Sequence, residues 1–229
     1  MNLNTWLKTE VNPWRHNMSD NKVNITINDV LHSVDEGRML IEITDELGIY
    51  IPRFCYHEKL SIAANCRMCL VEVENSSNAL AACATPVTDG MVIDTLSHST
   101  KTAQQSTMEF LLINHPLDCP ICDQGGECEL QDLAYAYGKN NSRFDLQKLT
   151  KPNDDLGPLV STDMTRCIMC TRCTRFGSEV AGIQELGTMG RGEASNISTF
   201  VKQTVNHELS GNIIDLCPVG ALNNKPYRY

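Results

Sequence analysis

The chain of 229 residues lacks several features that would place it in a common functional class. It has no continuous run of 18 apolar residues, so the sequence predicts no membrane-spanning helix. Its net charge of −9 argues against nucleic acid as a partner, because phosphate binding requires a basic surface. Aromatic residues make up only 6%, which predicts thin cores that need additional crosslinks.

Recognisable nucleotide-binding motifs are also missing. Gly187, Gly190 and Gly192 do not have the order of a dinucleotide-binding loop, and no P-loop motif occurs. These absences predict no nucleotide-dependent catalytic site in this chain.

The amino terminus does not have the composition of a targeting segment. Residues 1–22 contain three lysine or arginine residues but also two acidic residues, whereas import signals are rich in arginine and nearly free of acids. The secretory type of apolar segment is absent as well. Trp6 and Trp14 are the only tryptophans, and exposed tryptophan favours docking onto a partner. Residues 1–20 are thus interpreted as an extension.

What the chain does contain is cysteine in an ordered pattern. Its eleven cysteines and one histidine form three groups of four. The groups are Cys55, Cys66, Cys69 and Cys83; His115, Cys119, Cys122 and Cys128; and Cys167, Cys170, Cys173 and Cys217. Iron–sulfur clusters are held by thiolates in sets of four, with histidine an allowed substitute. The grouping uses every cysteine, so none remains as a nucleophile and we predict no catalytic residue. The pattern predicts a carrier of single electrons, which would receive them from other subunits and pass them on.

Two other uses of cysteine compete with this interpretation. Disulfides suit small secreted domains, and an odd number of cysteines leaves one thiol unpaired. Zinc is the stronger alternative, because C-x₂-C pairs and a Cys₃His set are also tetrahedral zinc patterns. Three cysteines at C-x₂-C-x₂-C closed by a distant Cys-Pro favour a four-iron cluster over zinc.

The spacing indicates a cluster type for each group. The first group has three ligands on one long loop, which fits a two-iron cluster of a relative of plant-type ferredoxins. In the second group, three cysteines lack a fourth thiolate, and His115 lies four residues before Cys119. In the third group, Gly177 stands where two-cluster ferredoxins have a further cysteine, so the run is closed by Cys217 and holds one four-iron cluster.

Three arginines, Arg166, Arg172 and Arg175, crowd the third group. A solvated basic face is the ordinary explanation for such a run. The alternative is that these cations hold a partner or lower the cost of reducing the cluster.

The sequence predicts an α+β fold in several small domains. Alternation of apolar residues predicts a strand at 23–27, followed by a helix that Gly48 ends. We expect a β-grasp [2Fe-2S] ferredoxin-type domain at 21–98. Mostly helical or irregular iron–sulfur domains would follow at 99–138, with the His-Cys₃ site, and at 139–229, the last one ferredoxin-like with the Cys₄ site.

Five stretches of sequence carry a resemblance to a known family. They are Ile51–His57, Asn65–Val73, His115–Cys128 with Leu130–Asp132, Arg166–Cys173 and Ser210–Leu222. Together they resemble the amino-terminal part of the largest iron–sulfur subunit of respiratory complex I, over about residues 23–227. The resemblance implies one [2Fe-2S] and two [4Fe-4S] clusters, with His115 as a cluster ligand, placed between the flavin subunit and the quinone-side iron–sulfur subunits.

The resemblance also implies a location and leaves alternatives open. The family usually continues with a long molybdopterin-enzyme-like region, which would here be lost or carried by a separate chain. The poor import signal favours a subunit made inside the mitochondrion, on the matrix side of the inner membrane; the bacterial cytoplasmic membrane is the alternative. An electron-transfer subunit of an NAD-linked hydrogenase or formate dehydrogenase, and a zinc-stabilised assembly module, are the competing functions.

Overall fold

The computed structural model describes residues 21–228, and the interpretation of residues 1–20 lies outside this range. The described chain divides into two compact units. The first contains residues 21–51 and 69–100, and the second contains residues 52–68 and 101–228. No helix in the described range is both long and apolar enough to cross a membrane.

The first unit is built on a five-stranded sheet with one helix. Its strands are β1 (Lys22–Ile27), β2 (Val30–Asp35), β3 (Leu70–Val73), β4 (Leu80–Ala81) and β5 (Val92–Asp94), and the helix is α1 (Leu40–Glu46). The strand order is β2-β1-β5-β3-β4. β1 pairs parallel with β5 and antiparallel with β2, with Ile25 opposite His32.

Local sequence explains most of these elements. Val23, Ile25 and Ile27 alternate with polar residues and are buried, as the predicted strand required. α1 buries Leu40, Ile41 and Ile43, and the chain leaves it through Gly48 at φ +72°, a conformation that glycine adopts without strain. The predicted strand and helix are confirmed. β2 was not anticipated, because its exposed Val30 and Leu31 break the expected alternation.

The second unit is held by short elements around two apolar cores. Its helices are α2 (His98–Leu112), α3 (Glu129–Tyr137), α4 (Arg172–Glu179) and α5 (Asn212–Leu216), α2 starting in the last residues of the first unit. Its strands are β6 (Val160–Thr162), β7 (Leu186–Met189), β8 (Asn196–Thr199) and β9 (Leu222–Asn224). β6 pairs with β9, and β7 with β8, both antiparallel.

The β6–β9 pair joins the last strand of the described chain to an earlier strand of the second unit. Val160 lies opposite Asn224 and Thr162 opposite Leu222, so the end of the described chain returns beside the start of the third cysteine group. Val160 and Leu222 are buried in the same core as Cys173 and Ile213. The mixed helix and sheet content of the two units agrees with the predicted α+β class.

Candidate metal centres

The first ligand group is divided between the two units. Cys55 and Cys66 belong to the second unit, where their thiols are hydrogen-bonded to each other. This hydrogen bond and burial together raise the pKa of Cys66. Cys69 and Cys83 belong to the first unit. There Cys69 precedes β3 and Cys83 follows β4, and the Ala82 N–H donates to the Cys69 carbonyl at 3.0 Å. All four thiols are buried.

The second group lies on a loop of tight turns. The Cys122 N–H donates to the Cys119 carbonyl at 3.2 Å, and the Gly125 N–H donates to the Cys122 carbonyl at 2.8 Å. A Cβ on Gly125 would lie 2.7 Å from that Cys119 carbonyl oxygen, so the turn accepts no side chain there. Cys119, Cys122 and Gly125 line one open cavity, and Cys128 is buried at the start of α3.

His115 has an environment suited to a neutral imidazole. Burial lowers the pKa of His115 to about 4, and the nearby cations Lys148 and Arg166 act in the same direction, against Asp118. The ring is therefore uncharged near pH 7 and keeps a lone pair that a metal can use. This state meets the requirement of the predicted ligand.

The third group is the most completely assembled. Its four cysteines line a single cavity, together with apolar side chains that include Met164, Ile197 and Leu222. Cys170 and Cys173 are buried, and Cys167 and Cys217 are half-buried. The structure thus brings Cys217 to the cysteines that precede it by 44 residues or more.

Backbone N–H groups act on every sulfur of the third group. The Met169 N–H donates to Sγ of Cys167 at 3.4 Å. The backbone N–H of Arg172 lowers the pKa of Cys170, and that of Thr174 lowers the pKa of Cys173, each against the larger effect of burial. The N–H groups of Val219, Leu222 and Ala221 likewise lower the pKa of Cys217. Such bonds stabilise negative charge on the sulfurs and favour an added electron.

The loop that provides these donors has an unusual backbone. Met169 at φ +55° and Thr171 at φ +60° lie in the left-handed region although neither is glycine. Residues held in this region cost free energy and are concentrated at functional sites. Here the two left-handed residues stand on either side of Cys170.

Burial keeps the thiols of the third group protonated when no metal is bound. It raises the pKa of Cys170 and that of Cys217 to about 11 each, and it raises the pKa of Cys173 as well. Metal ligands must be thiolates, so binding a metal here releases protons.

The segment after Cys217 contacts the second group as well as the third. The Cys128 thiol lies 3.8 Å from the Pro218 carbonyl oxygen. A Cβ on Gly220 would overlap the Sγ of Cys122 and lie 3.3 Å from the Cβ of Gln124. Residues 217–220 therefore connect the two predicted four-iron sites.

No three His, Cys, Asp or Glu side chains converge on one ion-sized site within residues 21–228. The four cysteines of the third group nevertheless surround one cavity, and this arrangement fits a cluster held between the thiols.

Two of the three arginines are not on a solvated basic face, and that explanation is wrong for them. Arg166 is 6% exposed and Arg172 is 7% exposed. Arg166 donates to Asp118 at 2.7 and 3.0 Å and to Asp163 at 3.0 Å. Sequence reasoning missed these carboxylates; their only signal was position, since Asp118 and Arg166 immediately precede the cysteines Cys119 and Cys167.

Three family models match the chain, each over one part of it. Residues 20–98 match the 2Fe-2S iron-sulfur cluster binding domain, and residues 104–143 match the NADH-ubiquinone oxidoreductase-G iron-sulfur binding region. Residues 157–223 match the ferredoxin-like domain of NADH-quinone oxidoreductase subunit 3. Both cluster types of the prediction are thus represented among the matching families.

Curated relatives cover most of the chain at high identity. The NADH-ubiquinone oxidoreductase 75 kDa subunit of Reclinomonas americana is 56% identical over 207 residues, which are 90% of this chain and 30% of the relative. An NADH-quinone oxidoreductase subunit of Rickettsia felis is 53% identical over 91% of this chain and 31% of the relative. The mitochondrial NADH dehydrogenase [ubiquinone] iron-sulfur protein 1 of Solanum tuberosum is 55% identical over 86% of this chain and 27% of the relative.

The fold also matches a solved structure. A chain of an NAD⁺-reducing [NiFe]-hydrogenase in the H₂-reduced state aligns with a TM-score of 0.82 at 29% identity, covering 90% of this chain and 89% of that one.

The chain spans about 30% of the length of the curated relatives it matches. Over that part the identity exceeds 50%, and all three family models describe iron–sulfur or ferredoxin-like regions. The chain therefore belongs to the family of the 75 kDa iron–sulfur subunit of the NADH-quinone oxidoreductases and corresponds to its amino-terminal part.

Proposed function

We propose that the chain is an electron-transfer subunit of respiratory complex I, which relays single electrons from the NADH- and flavin-binding subunit toward the quinone site. The observation that carries the proposal is the third site, where four buried or half-buried cysteines line one cavity. When bound, iron–sulfur clusters supply one-electron oxidation and reduction. The residues of the chain hold them, exclude water and set their charge environment.

The ligand assignment is part of the proposal. One [2Fe-2S] cluster takes Cys55, Cys66, Cys69 and Cys83; one [4Fe-4S] cluster takes His115, Cys119, Cys122 and Cys128; and a second [4Fe-4S] cluster takes Cys167, Cys170, Cys173 and Cys217. The domains are a β-grasp ferredoxin-type domain at 21–98, the His-Cys₃ domain at 99–138 and the Cys₄ domain at 139–229. The sheet order of the first unit and the three family matches support this division.

The partners follow from the same proposal. They are the flavin subunit, the quinone-side iron–sulfur subunits and, where it exists, a separate chain with the remaining region of the family. We propose a place on the matrix side of the mitochondrial inner membrane, reached through these partners. The printed name of the potato relative is that of a mitochondrial protein, which supports this location, while the rickettsial relatives support the bacterial alternative.

The hydrogenase alternative keeps one specific observation in its favour, the TM-score of 0.82 over nine-tenths of both chains. Identity decides between the two proposals. It is 29% to the hydrogenase chain and 56% to the 75 kDa subunit. We therefore retain the complex I assignment and treat the hydrogenase as a relative that shares the fold.

Metal analysis tests the proposal directly. One two-iron and two four-iron clusters amount to about ten irons per chain, with an equal amount of acid-labile sulfide. After anaerobic purification of the complex, we expect this subunit to contribute iron near this value. Stoichiometric zinc with little iron would overturn the proposal in favour of the assembly module.

Substitution of His115 tests its role as a ligand. His115→Ala is expected to remove the middle cluster alone, because three cysteines remain and the fourth position is open to water. His115→Cys should retain a four-iron cluster at a lower potential, since an anionic thiolate replaces a neutral imidazole. Low-temperature EPR of the two variants is the measurement. Three unchanged cluster signals in the alanine variant would exclude His115 from the site.

A further inference from the structure

Arg172 stands where segments of all three ligand groups meet within the second unit. It lies between Cys170 and Cys173 of the third group. Its Nη2 donates to the carbonyl of Tyr56, the neighbour of Cys55, at 3.3 Å. Its two terminal nitrogens also donate to Glu129, the neighbour of Cys128, at 3.0 and 3.2 Å.

The side chain of Arg172 is buried, but one of its donors is unused. The residue is 7% exposed, and Nε has no hydrogen-bond partner in the protein. A buried donor without an acceptor costs free energy, so such groups in native proteins need an explanation. An acceptor that the polypeptide itself does not provide would satisfy it.

A cluster in the third site is an acceptor of the right chemistry. Sulfur atoms of an iron–sulfur cluster accept hydrogen bonds, and these bonds help to set the reduction potential. Arg172 lies between the predicted ligands Cys170 and Cys173, and its backbone N–H and its charge both lower the pKa of Cys170, so the residue borders this site. Arg175 lies on the same side and donates to the carbonyls of Cys55 at 2.5 Å and Cys170 at 3.2 Å.

We propose that Arg172 is a positioning residue that fixes the Cys55 and Cys128 segments beside the third site, and that its Nε–H donates to a sulfur of the cluster held there. The added electron increases negative charge on that cluster, so a buried cation and donor stabilise the reduced form. Glu129 opposes this effect by partly neutralising the guanidinium. The proposal rests on the cluster assignment proposed above.

The test is a redox titration of the assembled complex, with the third cluster followed by its low-temperature EPR signal. Arg172→Gln removes the charge and the Nε donor and is expected to shift the oxidised-to-reduced ratio about tenfold toward the oxidised form. For one electron this is a fall of about 59 mV in midpoint potential. Arg172→Lys restores the charge without a donor at Nε, so a smaller fall in the same direction is expected.

Glu129→Gln gives the opposite sign and leaves Arg172 in place. Removing the counter-charge is expected to raise the midpoint potential, and this variant decides the matter where Arg172→Gln fails to assemble. Arg143→Gln is the matched control. Arg143 is paired with Glu109 and its side chain is 72% exposed, so solvent screens its charge and no midpoint should move.

Three results would overturn the inference. These are an unchanged midpoint potential in an Arg172→Gln protein with full cluster content, complete restoration of the wild-type midpoint potential by Arg172→Lys, and an unchanged or lower midpoint potential in Glu129→Gln.

Loss of the hydrogen bond in Arg172→Gln should also remove an exchangeable proton coupling, which ENDOR detects in H₂O and not in D₂O. If the wild-type protein contains no third cluster, the proposed function itself fails, which iron analysis shows separately.

Discussion

The substitution Cys217→Ser is expected to reduce electron transfer from NADH to quinone to background, while the flavin partner still reduces ferricyanide. The Sγ of Cys217 lines the cavity of the third site from 44 residues beyond Cys173, and no other cysteine of the described chain is left to replace it. A serine hydroxyl is a poorer ligand for iron than a soft thiolate, so this cluster should be lost.

The assay compares NADH:quinone and NADH:ferricyanide activities of the assembled complex, with EPR of the third cluster. Ile197→Val is a suitable control, because Ile197 lines the same cavity and is buried, but is not a predicted ligand. Such a substitution costs about 0.5–1.5 kcal/mol of stability and should leave both activities intact. Normal quinone reduction by Cys217→Ser would show that the third site is not on the electron path.

The substitution Gly220→Ala is expected to remove the middle cluster without changing any ligand. Its Cβ would overlap the Sγ of Cys122 and lie 3.6 Å from Nη1 of Arg166. Arg166 is held by Asp118 and Asp163 and has little room to move. Cys122 would therefore be displaced from its position, and iron content should fall by about four atoms per chain.

Gly187→Ala provides the comparison for this experiment. Gly187 lies in β7, and no atom beyond its two chain neighbours lies within 4 Å of the position that its Cβ would take. Its substitution should leave the iron content and all cluster signals unchanged. Retention of full iron and of the middle cluster signal in Gly220→Ala would mean that Cys122 does not need the space beside Gly220.

The prediction of the ligand groups rests mainly on local sequence. Cysteines at C-x₂-C spacing are neighbours whatever the rest of the fold does, and proline and glycine around Cys119–Cys128 indicate a tight loop. The helix ending at Gly48 and the strand of Val23, Ile25 and Ile27 were predictable for the same reason, since turn chemistry and alternation act over a few residues.

The environment of the arginines was not predictable. Arg166 and Arg172 look like a basic run in the sequence, yet both are buried against carboxylates 43 or 48 residues away. Burial of a cation depends on which distant segments pack over it, and a desolvated guanidinium is tolerated only where partners are in place. No local pattern in the sequence contains that information.

The sequence by itself identified the family and predicted three ligand groups and their chemistry, because these inferences depend on residue type and short spacing. Only the tertiary structure decided that Cys217 lies beside the other cysteines of the third site and that Gly220 lies against the Sγ of Cys122. It also decided that Arg172 joins segments of three groups. These features follow from the pairing of β6 with β9 and from packing between residues far apart in the chain, where many weak contacts act together.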